Sequence, residues 1–165
     1  MTRSPLDIPL SSEQDTRRLA KAIGSRLRKG DVLLLEGDIG AGKTSFARAL
    51  IQSAQDAPED VPSPTFTLVQ VYDTRLGEIW HSDLYRIGST AEIEELGLAD
   101  AFSEAICLVE WPDRLGDLAP ADALGIRFEV TDAANETRKV CLSWSDPRWD
   151  RVVTALTERM DEARA

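Results

Sequence analysis

The sequence lacks the features of a membrane-spanning, secreted or disulfide-stabilised protein. No apolar run approaches the roughly 20 residues of a transmembrane helix, and the first ten residues, MTRSPLDIPL, lack the apolar centre of a signal peptide. The two cysteines, Cys107 and Cys141, lie among aliphatic residues without metal-ligand spacing, which indicates reduced core residues. We therefore expect a cytoplasmic protein with no membrane partner.

Positive charge is also scarce. The chain has 19 Lys and Arg against 29 Asp and Glu, a net charge of −10, whereas a direct grip on nucleic acid normally needs a basic face. We expect any RNA in its function to be held by a partner. The 165 residues suffice for one domain with a sizeable core, and we predict a single domain over 1–165.

One stretch, LLLEGDIGAGKTSF at 33–46, carries a clear binding motif. Gly37, Gly42, Lys43 and Thr44 satisfy the pattern G-x-x-x-x-G-K-[ST], known as the P-loop. In this motif backbone N–H groups close around the β-phosphate of a nucleotide, the lysine reaches the β- and γ-phosphates, and the hydroxyl binds Mg²⁺.

The residues on either side of the P-loop provide the context that the motif requires. Residues 32–35 form an apolar run suited to a buried strand, and residues 44–53 place apolar side chains at helical spacing. In this order the phosphates lie at a helix N-terminus, where free N–H groups and the helix dipole favour anions. The sequence thus predicts that the loop binds a nucleoside triphosphate.

The rest of the chain predicts strands and helices around this unit. Capping boxes are expected at Ser11 with Gln14 and at Ser89 with Glu92. In chain order we first predict an amphipathic helix over 11–28, an irregular loop over 56–65, and a hairpin of 66–72 and 78–84. A short helix over 89–97, a strand over 105–110, and a hairpin of 126–131 and 139–144 follow. The chain then forms a terminal helix after Pro147, with Trp149, Val153, Leu156 and Met160 facing inward.

Hydrolysis would also need a carboxylate near the metal and a group that orients water. Glu110, which ends the run 105–110, has the placement of a Walker B acid that holds Mg²⁺ directly or through water. A surface acid at a strand end is the alternative. Asp83 is a second candidate, for metal-bound or attacking water, and an ordinary turn acid explains it equally well. Thr65 lies where switch loops of many P-loop proteins sense the γ-phosphate, although an ordinary loop hydroxyl also fits.

Two further side chains lie near these candidates in the sequence. His81, the single histidine, could touch the site, but a structural histidine is the favoured interpretation. Trp111 follows Glu110 and is equally consistent with a nucleotide pocket, a partner surface or an aromatic at the rim of the core.

The ordered segments resemble the TsaE family, also called YjeE, of bacterial ATPases that help to make threonylcarbamoyladenosine in tRNA. The resemblance rests on EGDIGAGKTSF, SPTFTLV, HSDLYRI, the EELGLADAF region and LVEWP, in that order, and covers nearly the whole chain. It implies an α/β fold: a single P-loop NTPase domain with a mixed parallel and antiparallel sheet flanked by helices. It also implies ATP and Mg²⁺ as ligands, and as partners TsaD and TsaB, the tRNA-modifying transferase that ATP turnover would reset. Contact with tRNA would be only through that partner.

The resemblance also implies site residues. Lys43, Asp83, Glu110 and Thr65 would be catalytic, and Thr44 and Glu110 would serve the Mg²⁺. The implied nucleotide contacts are Glu13, Gly40, Ala41, Gly42, Lys43, Thr44, Ser45 and Trp111.

The chain departs from the family pattern at three positions. Ile39 stands where leucine is usual, Ser45 where a second threonine is usual, and Ser82 where an aromatic residue often precedes Asp83. The last change could alter packing behind Asp83 without removing its carboxylate.

The sequence also bears on three other functions. A small-molecule kinase would need an acceptor pocket and usually an arginine-bearing lid, and we locate neither. A GTPase is disfavoured because the only asparagine, Asn135, stands in Asn-Glu-Thr and no N-K-x-D motif can exist. A nucleotide-dependent switch without useful turnover remains open, although Asp83 and Glu110 beside an intact P-loop weigh against it.

Overall fold

The computed structural model of the chain describes residues 5–135 and 137–164. They form one seven-stranded sheet in the order β1-β7-β6-β2-β5-β4-β3. The strands are β1 Leu6–Leu10, β2 Val32–Glu36, β3 Val69–Thr74, β4 Gly77–Asp83, β5 Ile106–Glu110, β6 Leu124–Asp132 and β7 Thr137–Ser143. The helices are α1 Glu13–Gly24, α2 Lys43–Ser53, α3 Thr90–Glu95, α4 Leu98–Glu104 and α5 Arg148–Arg164, with a 3₁₀ helix at Pro112–Leu118.

The sheet has a parallel centre and antiparallel margins. Strands β4, β5, β2 and β6 run parallel to one another, whereas β3, β7 and β1 pair antiparallel to their neighbours. The predicted mixed sheet flanked by helices is therefore confirmed. Because the carboxyl ends of β2, β5 and β4 lie side by side at one edge, the loops that leave them are brought together.

Helices cover both faces of the sheet because successive strand residues alternate between the faces. Leu33 and Leu35 of β2 belong to the larger core cluster, with residues of α1, α2 and α5. Val32 and Leu34 face the other side and pack with residues of α3, α4 and the 3₁₀ helix. Cys107 is fully buried in this second cluster, and burial raises the pKa of its thiol to about 12.

Most predicted elements are present, with shifted ends. The strand over 105–110, both hairpins, the irregular loop over 56–65 and the terminal helix are confirmed. Trp149, Val153 and Leu156 are buried as predicted. The side chain of Met160 and residue Glu136 lie outside what the structure describes.

The start of α1 differs from its prediction by one residue. Ser12, not Ser11, caps the helix and accepts a hydrogen bond from the backbone N–H of Asp15 at 3.2 Å. The Asp15 carboxylate accepts in turn from the backbone N–H of Ser11 at 2.9 Å. The Ser11–Gln14 capping box is therefore wrong, and the helix ends at Gly24 rather than at Arg28. Ser89 precedes α3 as predicted, but its side chain makes no capping bond.

Three elements were not predicted: β1, α4 and the 3₁₀ helix at Pro112–Leu118. Strand β1 adds an edge to the sheet by pairing with β7 alone, and it tolerates Pro9 because an edge strand need not donate on both sides. Helix α4 follows α3 after Gly97, whose left-handed conformation (φ 78°) starts the new helix. Among the residues that the structure describes, none of the helices has the length and apolar character of a membrane span.

Candidate active site

A cavity of about 730 Å³ opens where β2, β5 and β4 end. Crevices at the carboxyl ends of parallel strands are the usual ligand sites of open α/β sheets. Its wall is formed by Ser11, Ser12, Glu13, Thr16, Ile39, Gly40, Gly42, Lys43, Thr44, Ser45, Ser63, Thr65, Asp83, Tyr85, Glu110, Trp111, Phe128, Asn135 and Arg138.

The P-loop backbone takes a shape that only glycines allow at its two ends. Gly37 has φ 142°, and a Cβ there would come within 2.6 Å of the Phe128 carbonyl oxygen. Gly42 has φ 115° and starts α2 without a side-chain cap. The first N–H groups of α2 therefore lack capping side chains and lie beside the cavity, as an anion site requires.

Lys43 lies beside the loop that precedes it. Its Nζ donates to the carbonyl oxygen of Gly37 and, at 3.0 Å, to that of Asp38. The ammonium also lies 4.3 Å from the ring centroid of Trp111. Burial lowers the pKa of Lys43, and the negative charges of Glu110, Asp83 and Asp38 oppose that shift. The lysine is thus a desolvated donor at the cavity wall.

Thr44 and Glu110 form a pair of oxygen donors. The Thr44 hydroxyl donates to Oε1 of Glu110 at 2.8 Å and lies 3.1 Å from Oε2. Glu110 is only 2% exposed, although it is a carboxylate at the end of a strand. This burial argues against an ordinary surface acid, because an isolated buried carboxylate is costly.

Asp83 lies directly beside Glu110 in the sheet, since the two residues are in register on β4 and β5. Its Oδ2 accepts from the Thr65 hydroxyl at 3.0 Å, and its Oδ1 accepts from the backbone N–H of Tyr85 at 3.0 Å. The Ser63 hydroxyl extends this series of hydrogen bonds and lies 2.8 Å from the Thr65 hydroxyl. The loop over 56–65 is therefore tied to the end of β4 through Thr65.

Trp111 occupies a strained position next to these groups. Its backbone is left-handed, with φ 58°, which is unusual for a bulky residue and typical of functional sites. The ring lies 4.9 Å from that of Tyr85, on which it packs at a tilt. The aromatic side chain is therefore held against Lys43 by the turn that ends β5.

His81 is closer to the site than its favoured structural interpretation suggested. The imidazole is completely buried, and its Nε2 lies 2.6 Å from Oε2 of Glu110. A histidine two residues before Asp83 on a strand shares its face, and that spacing was the available signal.

The cavity wall brings together all but one of the predicted site residues. The exception is Ala41, whose side chain is buried and whose backbone N–H donates to the Asp38 carbonyl at 3.0 Å. Glu13 lies on the wall beside the start of α1. The roles assigned to these residues stay predictions.

Several wall residues were not anticipated. Phe128 lies beneath the P-loop, and Arg138 of β7 donates from Nη2 to the Gly40 carbonyl at 3.3 Å. Nothing local in the sequence marks either residue, because β6 and β7 reach the P-loop only through the order of the sheet.

The donor set fits a hard divalent cation that shares its ligands with a nucleotide. Thr44 and Glu110 supply hydroxyl and carboxylate oxygens, which Mg²⁺ prefers. Within the described residues no group of three or more His, Cys, Asp or Glu side chains could hold a metal ion. Mg²⁺ commonly binds through one or two protein ligands plus phosphates and water, so this small set is sufficient.

Comparison with known proteins identifies the family. Residues 10–140 match the model of the family described as "Threonylcarbamoyl adenosine biosynthesis protein TsaE". The tRNA threonylcarbamoyladenosine biosynthesis protein TsaE of Rickettsia felis is 38% identical over 80% of this chain and 75% of its own. The protein of the same name from Bacillus subtilis is 32% identical over 87% of this chain and 89% of its own.

A solved structure supports the same fold. The crystal structure of Bacillus subtilis YdiB superposes with a TM-score of 0.77, at 24% identity, over 96% of this chain and 97% of that one. The family match, which spans the P-loop, Asp83 and Glu110, and the relatives named above show that the chain belongs to the TsaE family of tRNA threonylcarbamoyladenosine biosynthesis proteins.

Proposed function

We propose that the protein is a Mg²⁺-dependent ATPase that acts in the cytoplasm on the TsaD–TsaB transferase complex and resets it between rounds of tRNA modification. The observation that carries the ATPase proposal is the meeting of Lys43, Thr44, Glu110 and Asp83 at one cavity, beside the uncapped start of α2. Binding and hydrolysis of a nucleoside triphosphate need this set of groups.

Each group has a task that its position supports. The α2 N–H groups and Lys43 bind the phosphates. To do so, Lys43 gives up its hydrogen bonds to the Gly37 and Asp38 carbonyls and donates to phosphate oxygens instead. Thr44 and Glu110 hold Mg²⁺, which when bound neutralises charge on the phosphates. Asp83, held by Thr65 and by the Tyr85 backbone, is placed to orient water.

Adenine rather than guanine is the expected base. The only asparagine, Asn135, is followed by Glu-Thr, so the chain has no N-K-x-D sequence to read guanine. Asn135 lies on the same cavity wall as the P-loop, together with Glu13 and Arg138. We propose that the nucleoside lies against this part of the wall.

The partner proposal depends on family membership and on charge. Related proteins carry the name of tRNA threonylcarbamoyladenosine biosynthesis, yet the net charge of −10 does not suit direct binding of tRNA. An acidic ATPase that acts on a tRNA-binding complex reconciles both facts.

Phosphate release from ATP and GTP by the purified protein, with and without Mg²⁺ and TsaD–TsaB, tests the proposal. Lys43→Ala should abolish ATP hydrolysis and leave the fold intact, as judged by circular dichroism, because the lysine contacts the loop and the rim of the cavity rather than the core. The exposed Lys29→Ala is a matched control that should behave like the wild type. Unchanged turnover in Lys43→Ala would overturn the P-loop assignment.

The same assay separates the alternatives. A switch protein would bind ATP and TsaD–TsaB without releasing phosphate at any useful rate. A small-molecule kinase would form little ADP until an acceptor is added, and ADP would then appear without free phosphate.

A further inference from the structure

His81 is the single histidine of the chain and lies on β4, completely buried. It shares a face of the sheet with Asp83, two residues later, and with Glu110, which is in register with Asp83 on β5. Its Nε2 lies 2.6 Å from Oε2 of Glu110, and within the described residues Nδ1 has no hydrogen-bond partner.

This arrangement fixes where the ring carries its hydrogen. An ionised carboxylate only accepts hydrogen bonds, so Nε2 must donate to Oε2 of Glu110. A hydrogen on Nδ1 would instead be buried without a partner, which is costly. The contacts therefore favour the Nε2–H tautomer of His81.

The contact also restricts the carboxylate itself. The last torsion of a glutamate side chain is broad and roughly two-fold, so an unrestrained carboxylate would rotate about its Cγ–Cδ bond. His81 holds Oε2 from the core side, while the Thr44 hydroxyl lies 2.8 Å from Oε1. The two contacts together fix the plane of the carboxylate relative to α2.

Packing alone does not account for a histidine at this position. The β4 residue two before it, Ile79, and the β5 residue in register with it, Leu108, are both buried and apolar. A leucine would bury more apolar surface there and leave no unpaired ring nitrogen. The imidazole makes its one described side-chain hydrogen bond to Glu110.

We propose that His81 is a positioning residue, which orients the Glu110 carboxylate for Mg²⁺ through its Nε2–H. The inference rests on the proposed function, in which Glu110 serves the cation. Groups that hydrogen-bond to metal ligands typically contribute about 10–100-fold to metal affinity or activity. We expect the apparent affinity for Mg²⁺ to fall by this factor when the Nε2–H is removed.

The test compares His81→Leu with His81→Gln, whose side-chain amide can donate from the position of Nε2. Mg²⁺ is titrated into each protein with ATP, and ADP affinity is measured in EDTA. His81→Leu should need about 10–100-fold more Mg²⁺ for half-maximal turnover, and His81→Gln should recover most of the loss. ADP affinity in EDTA should be the same in all three proteins, which a general defect of folding would not allow.

A second measurement needs no nucleotide and no variant of His81. Because the chain has one histidine, ¹⁵N-imidazole spectra report a single ring. The wild type should show the hydrogen on Nε2, with a clear change of the Nε2 signal in Glu110→Gln. This measurement stands even if His81→Leu fails to fold.

Three results would overturn the inference: a Mg²⁺ titration of His81→Leu that matches the wild type, a His81→Gln variant as impaired as His81→Leu, or a ring with its hydrogen on Nδ1. A wild-type protein that neither binds nor hydrolyses ATP would instead refute the proposed function, and the imidazole spectrum would still report on the His81–Glu110 contact.

Discussion

The hydroxyl of Thr44 lies 2.8 Å from Oε1 of Glu110, although 66 residues separate the two along the chain. The contact exists because β2 and β5 are parallel neighbours, with Leu35 and Glu110 in register. The P-loop that follows β2 therefore begins beside the end of β5. The register of the sheet therefore brings together two oxygen donors that lie on different elements.

We expect Glu110→Gln to weaken turnover and its dependence on Mg²⁺ more than it weakens nucleotide binding, because the P-loop N–H groups remain. The amide keeps the size of the side chain but removes the charge that attracts the cation. Mg²⁺ titrations of ATP hydrolysis, with ADP affinity measured alongside, check this expectation. Asp113→Asn, an exposed carboxylate three residues later with a side chain that is 71% accessible, is the matched control. Equal titrations for Glu110→Gln and the wild type would return Glu110 to the role of a buried structural acid.

We expect Thr65→Val to slow ATP hydrolysis by about 10–100-fold, because it removes a hydrogen bond to the Asp83 carboxylate. A hydrogen bond to a charged group contributes about 1.5–3 kcal/mol, and each 1.4 kcal/mol expressed in the transition state changes the rate about tenfold. The neighbouring Thr67→Val, which removes an exposed hydroxyl that contacts Gln70 instead, is the control. Single-turnover hydrolysis at saturating ATP measures both variants. Identical rates would show that the loop hydroxyl has no part in chemistry.

Sequence reasoning succeeded where the signals are local. The strand, glycine loop and helix around Lys43 follow one another directly, and the motif fixes their order. Glu110 could be singled out because a carboxylate ends an apolar run. Both hairpins could be predicted because apolar segments are separated by short polar turns.

The features that were missed depend on distant parts of the chain. Strand β1 is only five residues long, contains Pro9 and is defined by its pairing with β7, more than 120 residues later. Arg138 reaches the Gly40 carbonyl only because β7 and β6 are placed beside β2. The spacing of His81 and Asp83 places both on one face of β4, but the contact of His81 with Glu110 also needs the register between β4 and β5.

We expect Arg148→Met to destabilise the fold by about 3 kcal/mol, the lower end of the range for removing one partner of a buried ion pair. The Arg148 guanidinium donates to both carboxylate oxygens of Asp31, whose side chain is only 7% accessible, and to the Arg26 carbonyl at 2.9 Å. These bonds join the start of α5 to the loop before β2. The midpoint temperature of thermal unfolding should fall by about 6–12 °C. The exposed Arg151→Met on the same helix is the control, and equal unfolding temperatures for the two variants would contradict the expectation.

Turnover should be slow for the protein alone and faster when the transferase partner docks beside the loop over 56–65. That loop, DAPEDVPSPT, contains no basic residue, and neither neighbouring arginine lies on the cavity wall. Arg75 donates to the Ala54 carbonyl at 3.2 Å, and the Arg86 guanidinium lies 5.3 Å from the ring centroid of Phe66. An arginine supplied to a phosphoryl-transfer site is worth about 10³ to 10⁵ in rate. A partner that brings such an arginine, or that frees Arg75 or Arg86 from its present contacts, would therefore have a large effect. Docking that orders the loop and repositions Thr65 is the other way to complete the site.

The exposed ring of Phe66 makes this expectation testable. Phe66 is next to Thr65 and 83% exposed, so a partner that covers the loop would bury it. Single-turnover hydrolysis is compared for the wild type, Phe66→Ser and Val71→Ser, each alone and with TsaD–TsaB. Val71 is a matched control because it is also an exposed apolar residue but lies on the edge strand β3. Phe66→Ser should lose most of the stimulation, Val71→Ser should retain it, and both should match the wild type alone. If the isolated wild type already turns over at the stimulated rate, the site is complete in itself and activation by docking is wrong.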